Sequence, residues 1–263
     1  MATRIFAAAV MLLTTLLPAL PGQADTTIRL DGSREAANAV IQIKGTMARL
    51  APSGQSTYVL YDKSRNLAIY VDTASKTFIE VDRPTLEKYA GMASAMREQL
   101  QLLPPAQRAL LEQNMGGLMG IPRNHSMSSL DMLHSVARGT RVIAGFHCQL
   151  HLLLKEQQPI GDVCLSSAAE AGVSPADFST LMAMMEFMRE AAGLAQELTG
   201  GLTESTRLLL SGLQGVPVAA RDYQSRQQFT VAGVSGQTLD TGLFNSYRSY
   251  RRKSLLEAIP LGQ

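Results

Sequence analysis

The amino-acid sequence predicts an α+β fold in which helices pack on one face of a single antiparallel β-sheet. Residues 38–81 consist of short β-branched and aromatic runs separated by turn clusters, which is the pattern of a meander of strands. Two long stretches of helix-forming residues follow, over 86–103 and 178–198. Strand-like segments return between these stretches and after them, so the helices are predicted to be insertions between parts of one sheet.

The composition excludes several classes of protein. Of the 263 residues, 46% are apolar and 17% are charged, and the formal net charge is +2. The ordinary apolar fraction and small net charge exclude a disordered chain, and the low charged fraction excludes a long coiled coil. The charge balance also argues against a nucleic-acid partner. Because internal repeats and Pro- or Ser-rich linkers are absent, residues 25–263 are expected to form a single domain with a basic C-terminal tail.

Residues 1–24 are expected to be an export signal rather than part of the fold. Arg4 supplies a positive start, Ile5–Leu17 is an apolar core, and Gly22 and Ala24 have the small side chains required before a cleavage site after Ala24. No Cys lies near this site, so acylation as a lipoprotein is not expected. The mature protein is therefore predicted to be periplasmic. An uncleaved membrane anchor is the less favoured alternative, because the apolar run is short for a membrane span.

The first elements are predicted to be a meander followed by helices. Asp82 and Pro84 are typical helix-start residues, and the helix over 86–103 ends before two prolines. A shorter helix is predicted over 106–115, and the stretch from there to Ser135 is expected to be a loop. The strand-like runs of the meander are 40–44, 57–61, 67–71 and 77–81.

The two cysteines of the chain predict a stapled hairpin. Segments 141–154 and 160–165 are strand-like, and Glu156 is the midpoint between Cys148 and Cys164, inside the expected turn. The two cysteines should therefore lie nearly opposite each other and form a disulfide in an oxidising compartment. Closing this loop stabilises the fold by roughly 3 kcal/mol in the chain-entropy model. A structural role is favoured over a redox role, because no C-x-x-C spacing is present.

The second long helix has an N-terminal capping signal. Ser174 is a candidate N-cap, with Pro175 at the first helical position and Asp177 at the third. The helix over 178–198 then ends at Gly200-Gly201. The remaining predicted elements are a short helix and the two strands of a final hairpin: 203–213, 216–223 and 227–234.

Methionine is the compositional oddity, and it clusters on this second helix. Leu181, Met184, Met185 and Met188 fall on one face at helical spacing, and Phe187 lies beside them. These five residues are our candidates for lining a ligand site, because thioethers make an adaptable apolar surface. An ordinary core face is the commoner origin of such a stripe. Cu(I) binding by thioethers is a weaker alternative, because only one Met-x-Met pair is present.

Enzyme motifs are absent from the sequence. It has no nucleophile elbow, no phosphate loop with a lysine and no helical pair of zinc-binding histidines. His147 and His151 lie four residues apart, but on a strand this spacing separates them by about 13 Å, too far to share one metal. His125 and His134 lie in the expected loop, where metal binding is the minor alternative. No catalytic residue, metal or cofactor is therefore expected, and the protein is expected not to be an enzyme.

The C-terminal segment over 243–256 is unusually basic. It is interpreted most simply as a solvated tail. The functional alternative is contact with an anionic membrane surface or an acidic envelope protein. The candidate contact residues are Tyr247, Arg248, Tyr250, Arg251, Arg252 and Lys253.

Three segments carry a resemblance to a known family, over roughly Thr57 to Tyr250. They are Tyr58-Val59-Leu60-Tyr61 with Tyr70-Val71-Asp72 and Phe78-Ile79-Glu80; Ile143-Ala144-Gly145-Phe146-His147-Cys148 with Asp162-Val163-Cys164; and Gly215-Val216-Pro217-Val218 with Leu243-Phe244. On these segments the chain resembles the exported bacterial proteins grouped as domain of unknown function 4412. The resemblance implies a scaffold like that of the LolA/LolB-type periplasmic lipoprotein carriers: a curved antiparallel half-barrel with helices packed on its concave face. The basic tail, without a proline after Phe244, departs from the family pattern, and the family implies no activity.

Two functions are expected from these observations. The first is non-catalytic binding, in the periplasm, of an apolar ligand such as a lipid or lipoprotein acyl chain between the sheet and the Met- and Leu-rich helices. Each buried methylene contributes roughly 0.8 kcal/mol, so no catalytic group is needed. The alternative is a structural or interaction protein of the cell envelope, with a filled core and an exposed patch for a partner. The sequence leaves the oligomeric state and the identity of the ligand open.

Overall fold

The computed structural model describes residues 24–33, 38–104, 107, 133–199 and 213–258. The predicted export signal and the predicted helices over 106–115 and 203–213 lie almost entirely outside these residues, as does His125. Within the described residues, no helix is long and apolar enough to span a membrane.

Twelve strands form one open, mostly antiparallel sheet within the described part of the chain. Its strand order is β12-β6-β5-β4-β3-β2-β1-β11-β10-β9-β8-β7, and only β12, which pairs with β6, is parallel to its neighbour. The α+β class with a single, mostly antiparallel sheet is therefore confirmed. The strands are β1 Thr26–Gly32, β2 Ala39–Lys44, β3 Met47–Pro52, β4 Thr57–Asp62, β5 Leu67–Asp72, β6 Thr77–Asp82, β7 Leu133–Ile143, β8 Phe146–Lys155, β9 Gln158–Ser166, β10 Val216–Asp222, β11 Gln228–Gly236 and β12 Arg251–Lys253.

Three hairpins of the sheet use the same turn chemistry. An aspartate at the end of one strand accepts backbone N–H groups from the turn that follows: Asp62 from Ser64, Asp72 from Ala74 and Ser75, and Asp222 from Gln224 and Ser225. Aspartate favours turns because its side chain satisfies these donors locally. A residue at or near the end of each turn has a positive φ: Asn66, Lys76 and Arg226.

The two long helices begin at capped positions. In α1 (Arg83–Leu102), the Asp82 carboxylate accepts the N–H of Thr85 at 2.9 Å. In α2 (Pro175–Thr199), the Ser174 hydroxyl accepts the N–H of Asp177 at 3.1 Å, as the capping signal predicts. The helices pack together on one face of the sheet and share a core with its strands.

The region around the cysteines differs from the prediction. Residues 133–155 form a second hairpin, β7–β8, whose turn consists of Ala144 and Gly145 with φ of 51° and 87°. The Cys148–Cys164 disulfide is present, with Cα atoms 5.4 Å apart. Cys164 pairs with Leu150 rather than standing opposite Cys148, because the two-residue turn is centred between Glu156 and Gln157 and a bulge after Leu153 shifts the register of β8 and β9 by one more residue.

The C-terminal segment is part of the fold rather than a solvated tail. It contains α3 (Gly242–Asn245), a 3₁₀ helix (Ser246–Ser249), β12 and α4 (Leu255–Ala258). Phe244 and Tyr247 are buried against strands β4–β6 on the face opposite α1 and α2, in a second core. The expectation that helices cover only one face is therefore wrong, because the two short helices before β12 cover part of the other.

Candidate functional site

A single row of apolar side chains crosses seven strands on the face that carries α1 and α2. Directly paired residues on neighbouring strands point to the same face of a sheet, so the register alone defines the row. We call it the apolar row, and its members are Val234, Ile28, Ile41, Leu50, Val59, Tyr70 and Ile79.

The helices cover the row next to it. In that row, Thr26 Oγ1 donates a hydrogen bond to Asp177 Oδ2 at 2.6 Å, and the Tyr61 ring packs on the Phe187 ring of α2 with centroids 5.6 Å apart. Nothing comparable lies over the β4–β6 part of the apolar row within the described residues. Part of the apolar row is therefore under α2, and the part over β4–β6 is open in the described ranges of the chain.

The covered part forms a small apolar cavity between α2 and the sheet, which we call the α2 cavity. Its volume is about 60 Å³. Helix α2 contributes Leu181, Met184, Met185 and Met188. The strands contribute the remaining lining residues: Ile28, Leu30, Ile41, Leu50, Val216, Pro217 and Phe229.

Four of the five candidate lining residues thus meet at one cavity. Leu181 and Met184 are buried, whereas Met185 and Met188 are half-buried at its wall. Phe187 points elsewhere, because it packs on Tyr61 rather than on the cavity. The role of the four in binding a ligand stays a prediction.

The open part of the row is the floor of a larger groove over β3–β6, which we call the β3–β6 groove. Its volume is about 380 Å³, within the range of roughly 300–1,000 Å³ that is typical of small-molecule sites. Leu50, Val59, Tyr70 and Ile79 line it, together with more polar residues at the ends of the strands. Leu50 also lines the α2 cavity, so the two spaces adjoin at this side chain.

Sequence reasoning missed the groove residues. In the structure, Tyr70 marks the groove most clearly, because its side chain is 38% exposed on a strand whose other apolar residues are buried. Burial of the phenol among surrounding atoms raises the pKa of Tyr70, so its hydroxyl is neutral at physiological pH. An aromatic ring that is accessible yet surrounded by protein is typical of a concave site.

One anionic group lies at the end of the groove. The carboxylate of Asp72 accepts hydrogen bonds from the Ser75 hydroxyl and from the N–H groups of Ser75 and Ala74. The hydrogen bonds from Ser75 are the main cause that lowers the pKa of Asp72. This carboxylate is therefore ionised, and its hydrogen bonds come from its own turn. The rest of the groove wall is predominantly apolar.

Among the described residues, the histidines of the hairpin are not brought together with other metal-ligating side chains. His147 and His151 both point to the face opposite Cys148, as the strand alternation predicts. In the ranges of chain that the structure describes, no group of three or more His, Cys, Asp or Glu residues is placed to hold a metal ion.

The candidate surface residues of the C-terminal segment divide into three groups. Tyr247 is only 4% exposed and packs on Phe78, so the prediction that it contacts a partner at the surface is wrong. Arg252 forms an ion pair with Glu80 at 2.9 Å, and Tyr250 is half-buried against the second core. The third group consists of Arg248 and Arg251, which are exposed, and Lys253, which is half-buried.

Comparison of the chain with protein-family models gives no match, and comparison with curated protein sequences gives none either. Among solved structures, the chain is similar to the crystal structure of an uncharacterized conserved protein from Thermus thermophilus. The sequence identity is 4% and the TM-score 0.41, over 88% of this chain and 91% of that chain. Likeness at this level assigns neither a family nor a function, so the resemblance to domain of unknown function 4412 stays a prediction.

Proposed function

We propose that the protein is a non-catalytic binding protein for a single apolar chain, such as a fatty acyl chain. The ligand lies along the apolar row, from the α2 cavity into the β3–β6 groove. The observation that carries the proposal is the position of Leu50, which lines both spaces and therefore supports one continuous path.

The energetics require both parts of this path. About ten buried methylenes contribute about 8 kcal/mol at roughly 0.8 kcal/mol each. This gain is similar to the cost of association, which is on the order of 4–15 kcal/mol. A chain confined to the groove alone is thus held weakly, and tight binding requires that its end enters the α2 cavity.

Entry into this cavity, at about 60 Å³, requires side chains to move. The first turns of α2 are held in place: Asp177 accepts from Thr26, the Thr180 hydroxyl donates to the Gly45 carbonyl at 2.8 Å, and Lys63 donates to Ser179 at 2.7 Å. The flexible methionines beyond these turns can change rotamer without moving the helix axis. We therefore propose that methionine side chains, rather than a hinged lid, admit the ligand.

A curved sheet of the LolA type in the periplasm is part of the same proposal. In a flat sheet, β3 and β10 would be about 19 Å apart at about 4.8 Å per strand. Both nevertheless contribute to the one cavity under α2, although a helix is only about 10 Å wide. This supports curvature toward α2, and the register shifts in β1/β11 and β9/β10 are the type of irregularity that bends a sheet. The disulfide is compatible with an oxidising, exported location.

Displacement of a fluorescent fatty acid from the purified protein tests the proposal. We expect the wild type to bind and Leu50→Glu to lose binding, because a carboxylate at the junction interrupts the apolar path. The matched control is Val142→Glu, which introduces the same charge at a strand residue that is 60% exposed and far along the sheet order. Because Leu50→Glu risks misfolding, Met185→Gln provides a milder second variant, and thermal melting confirms folding. Absence of binding by the wild type would overturn the proposal.

An envelope interaction protein is the second candidate function, and one observation favours it. The strand β7 is at the edge of the sheet, and residues 134–142 are all exposed, including Val136. Unpaired strand edges accept an additional strand from a partner. A photo-crosslinker at Val136 should then give a discrete adduct in cells, whereas one at the exposed Tyr223 should not. Equal labelling from both positions would reject this candidate.

A further inference from the structure

The apolar row ends at a cation. Strand β12 runs parallel to β6 and pairs Lys253 with Ile79 and Arg251 with Thr77. Ile79 is the last apolar member of the row, and both Ile79 and Thr77 line the β3–β6 groove. Paired strands are about 4.8 Å apart, and paired residues point to the same face. Arg251 and Lys253 therefore lie along the edge of the groove, one strand beyond its apolar wall.

The intervening residue confirms this alternation. Arg252 pairs with Phe78, whose ring packs on Tyr247 in the core on the opposite face. Its guanidinium forms the ion pair with Glu80. Consecutive side chains of β12 therefore point to alternate faces, with one arginine away from the groove and the two flanking cations toward it.

The charges around these two cations are unbalanced. Within the residues that the structure describes, neither Arg251 nor Lys253 forms an ion pair. The nearby carboxylate of Glu257 accepts the N–H and hydroxyl of Ser254, at 2.6 and 2.8 Å, at the start of α4, and its negative charge offsets part of the charge of Arg251 and Lys253. Asp72, which accepts hydrogen bonds from its own turn, is a second negative charge at the groove. A further cation, Lys76, lies beside β12, because its carbonyl accepts the N–H of Arg251 at 3.0 Å.

We propose that the ligand is an amphiphile with an anionic head group, bound with its head at Arg251 and Lys253 and its chain along the apolar row. This inference rests on the proposed function and adds the chemical class and the orientation of the ligand. The other end of the path fixes the direction, because the α2 cavity is lined by apolar side chains only and a buried head group there would lack partners. A carboxylate and a phosphate are the two head groups that match a pair of cations.

The experiment compares ligands of equal chain length with different head groups: palmitate, palmitoyl lysophosphatidic acid and the uncharged alcohol of palmitate. We expect the wild type to bind the two anionic ligands about tenfold more tightly than the alcohol. Whichever anion binds more tightly identifies the head group as carboxylate or phosphate. Raising the salt concentration should reduce the preference for anions and leave binding of the alcohol unchanged.

The variants separate this inference from the proposed function. Arg251→Gln combined with Lys253→Gln should remove the preference for anions, with alcohol binding retained. The matched control is Arg252→Gln, which removes a charge from the same strand but from the opposite face, and should retain the preference. If the wild type binds the alcohol as tightly as the anions, or if the double variant keeps the preference, the inference is wrong and the proposed function stands. If no ligand binds, both are wrong.

Discussion

The hydroxyl of Thr26 donates a buried hydrogen bond of 2.6 Å to the carboxylate of Asp177 and so connects β1 to the first turn of α2. The carboxylate is also favourably placed near the positive end of the helix dipole. We expect Thr26→Val to destabilise the protein by about 1–3 kcal/mol, because a buried acceptor loses its partner. The shift in the urea unfolding midpoint measures this cost.

The control for this prediction is Thr140→Val, the same substitution at an exposed position of the edge strand β7. It should change stability by no more than about 0.5 kcal/mol. Equal effects of the two substitutions would show that the Thr26–Asp177 hydrogen bond does not hold α2 on the sheet.

The disulfide predicts a difference between oxidised and reduced protein. Reduction, or replacement of Cys148 and Cys164 by alanine, should lower the free energy of unfolding by roughly 3 kcal/mol, because the unfolded chain regains the freedom of the closed loop. Thermal melting with and without reductant measures the effect in the wild type. The alanine variant should not respond to reductant, and any response there would reveal an effect unrelated to the disulfide.

The buried C-terminal segment predicts a large cost for removing Tyr247. Its ring packs edge-to-face on Phe78 with centroids 5.1 Å apart. Tyr247→Ala should destabilise the protein by about 3–5 kcal/mol, as is usual when a large buried aromatic residue is truncated. The neighbouring exposed Arg248 supplies the control, and Arg248→Ala should be almost neutral. A similarly small effect at both positions in urea unfolding would restore the interpretation of this segment as a solvated tail.

The parts of the fold that follow local rules could be predicted from the sequence. The β4–β6 meander was predictable because short β-branched and aromatic runs and the polar turns between them are both patterns of a few residues. The start of α2 was predictable from Ser174 and Asp177, which the structure joins by a capping hydrogen bond. The β7–β8 hairpin was not, because Ala144-Gly145 is a weak turn signal and the two strands read as one.

The candidate site divides in the same way. Helical spacing alone was enough to predict that Leu181, Met184, Met185 and Met188 lie on one face of α2, and this face forms one wall of the cavity. The sheet side depends on cross-strand register, and β4–β6 are apolar on both faces, so no local pattern distinguishes the groove from the second core. The placement of Arg251 and Lys253 beside the groove depends on a pairing between β6 and β12, which are far apart in the chain, and single-sequence patterns do not encode such a pairing.

The aspartate turn at the end of β5 predicts a specific loss of stability in acid. Hydrogen bonds from Ser75 and Ala74 favour the ionised form of Asp72 in the folded state and lower its pKa. Its contribution to stability is therefore complete above the unfolded-state pKa of about 3.9, and it is lost as the pH falls through the lower folded value. Asp72→Ala should destabilise the protein at neutral pH, and the difference from the wild type should shrink in acid.

Urea unfolding of both proteins between neutral and strongly acidic pH measures that difference directly. The control is Asp31→Ala, at an exposed strand residue that accepts no comparable turn hydrogen bonds from the described residues. A difference that stays constant across the pH range would mean that Asp72 acts through the conformation of the turn alone. Its carboxylate charge would then contribute nothing, and the neutral Asp72→Asn variant should be as stable as the wild type at every pH.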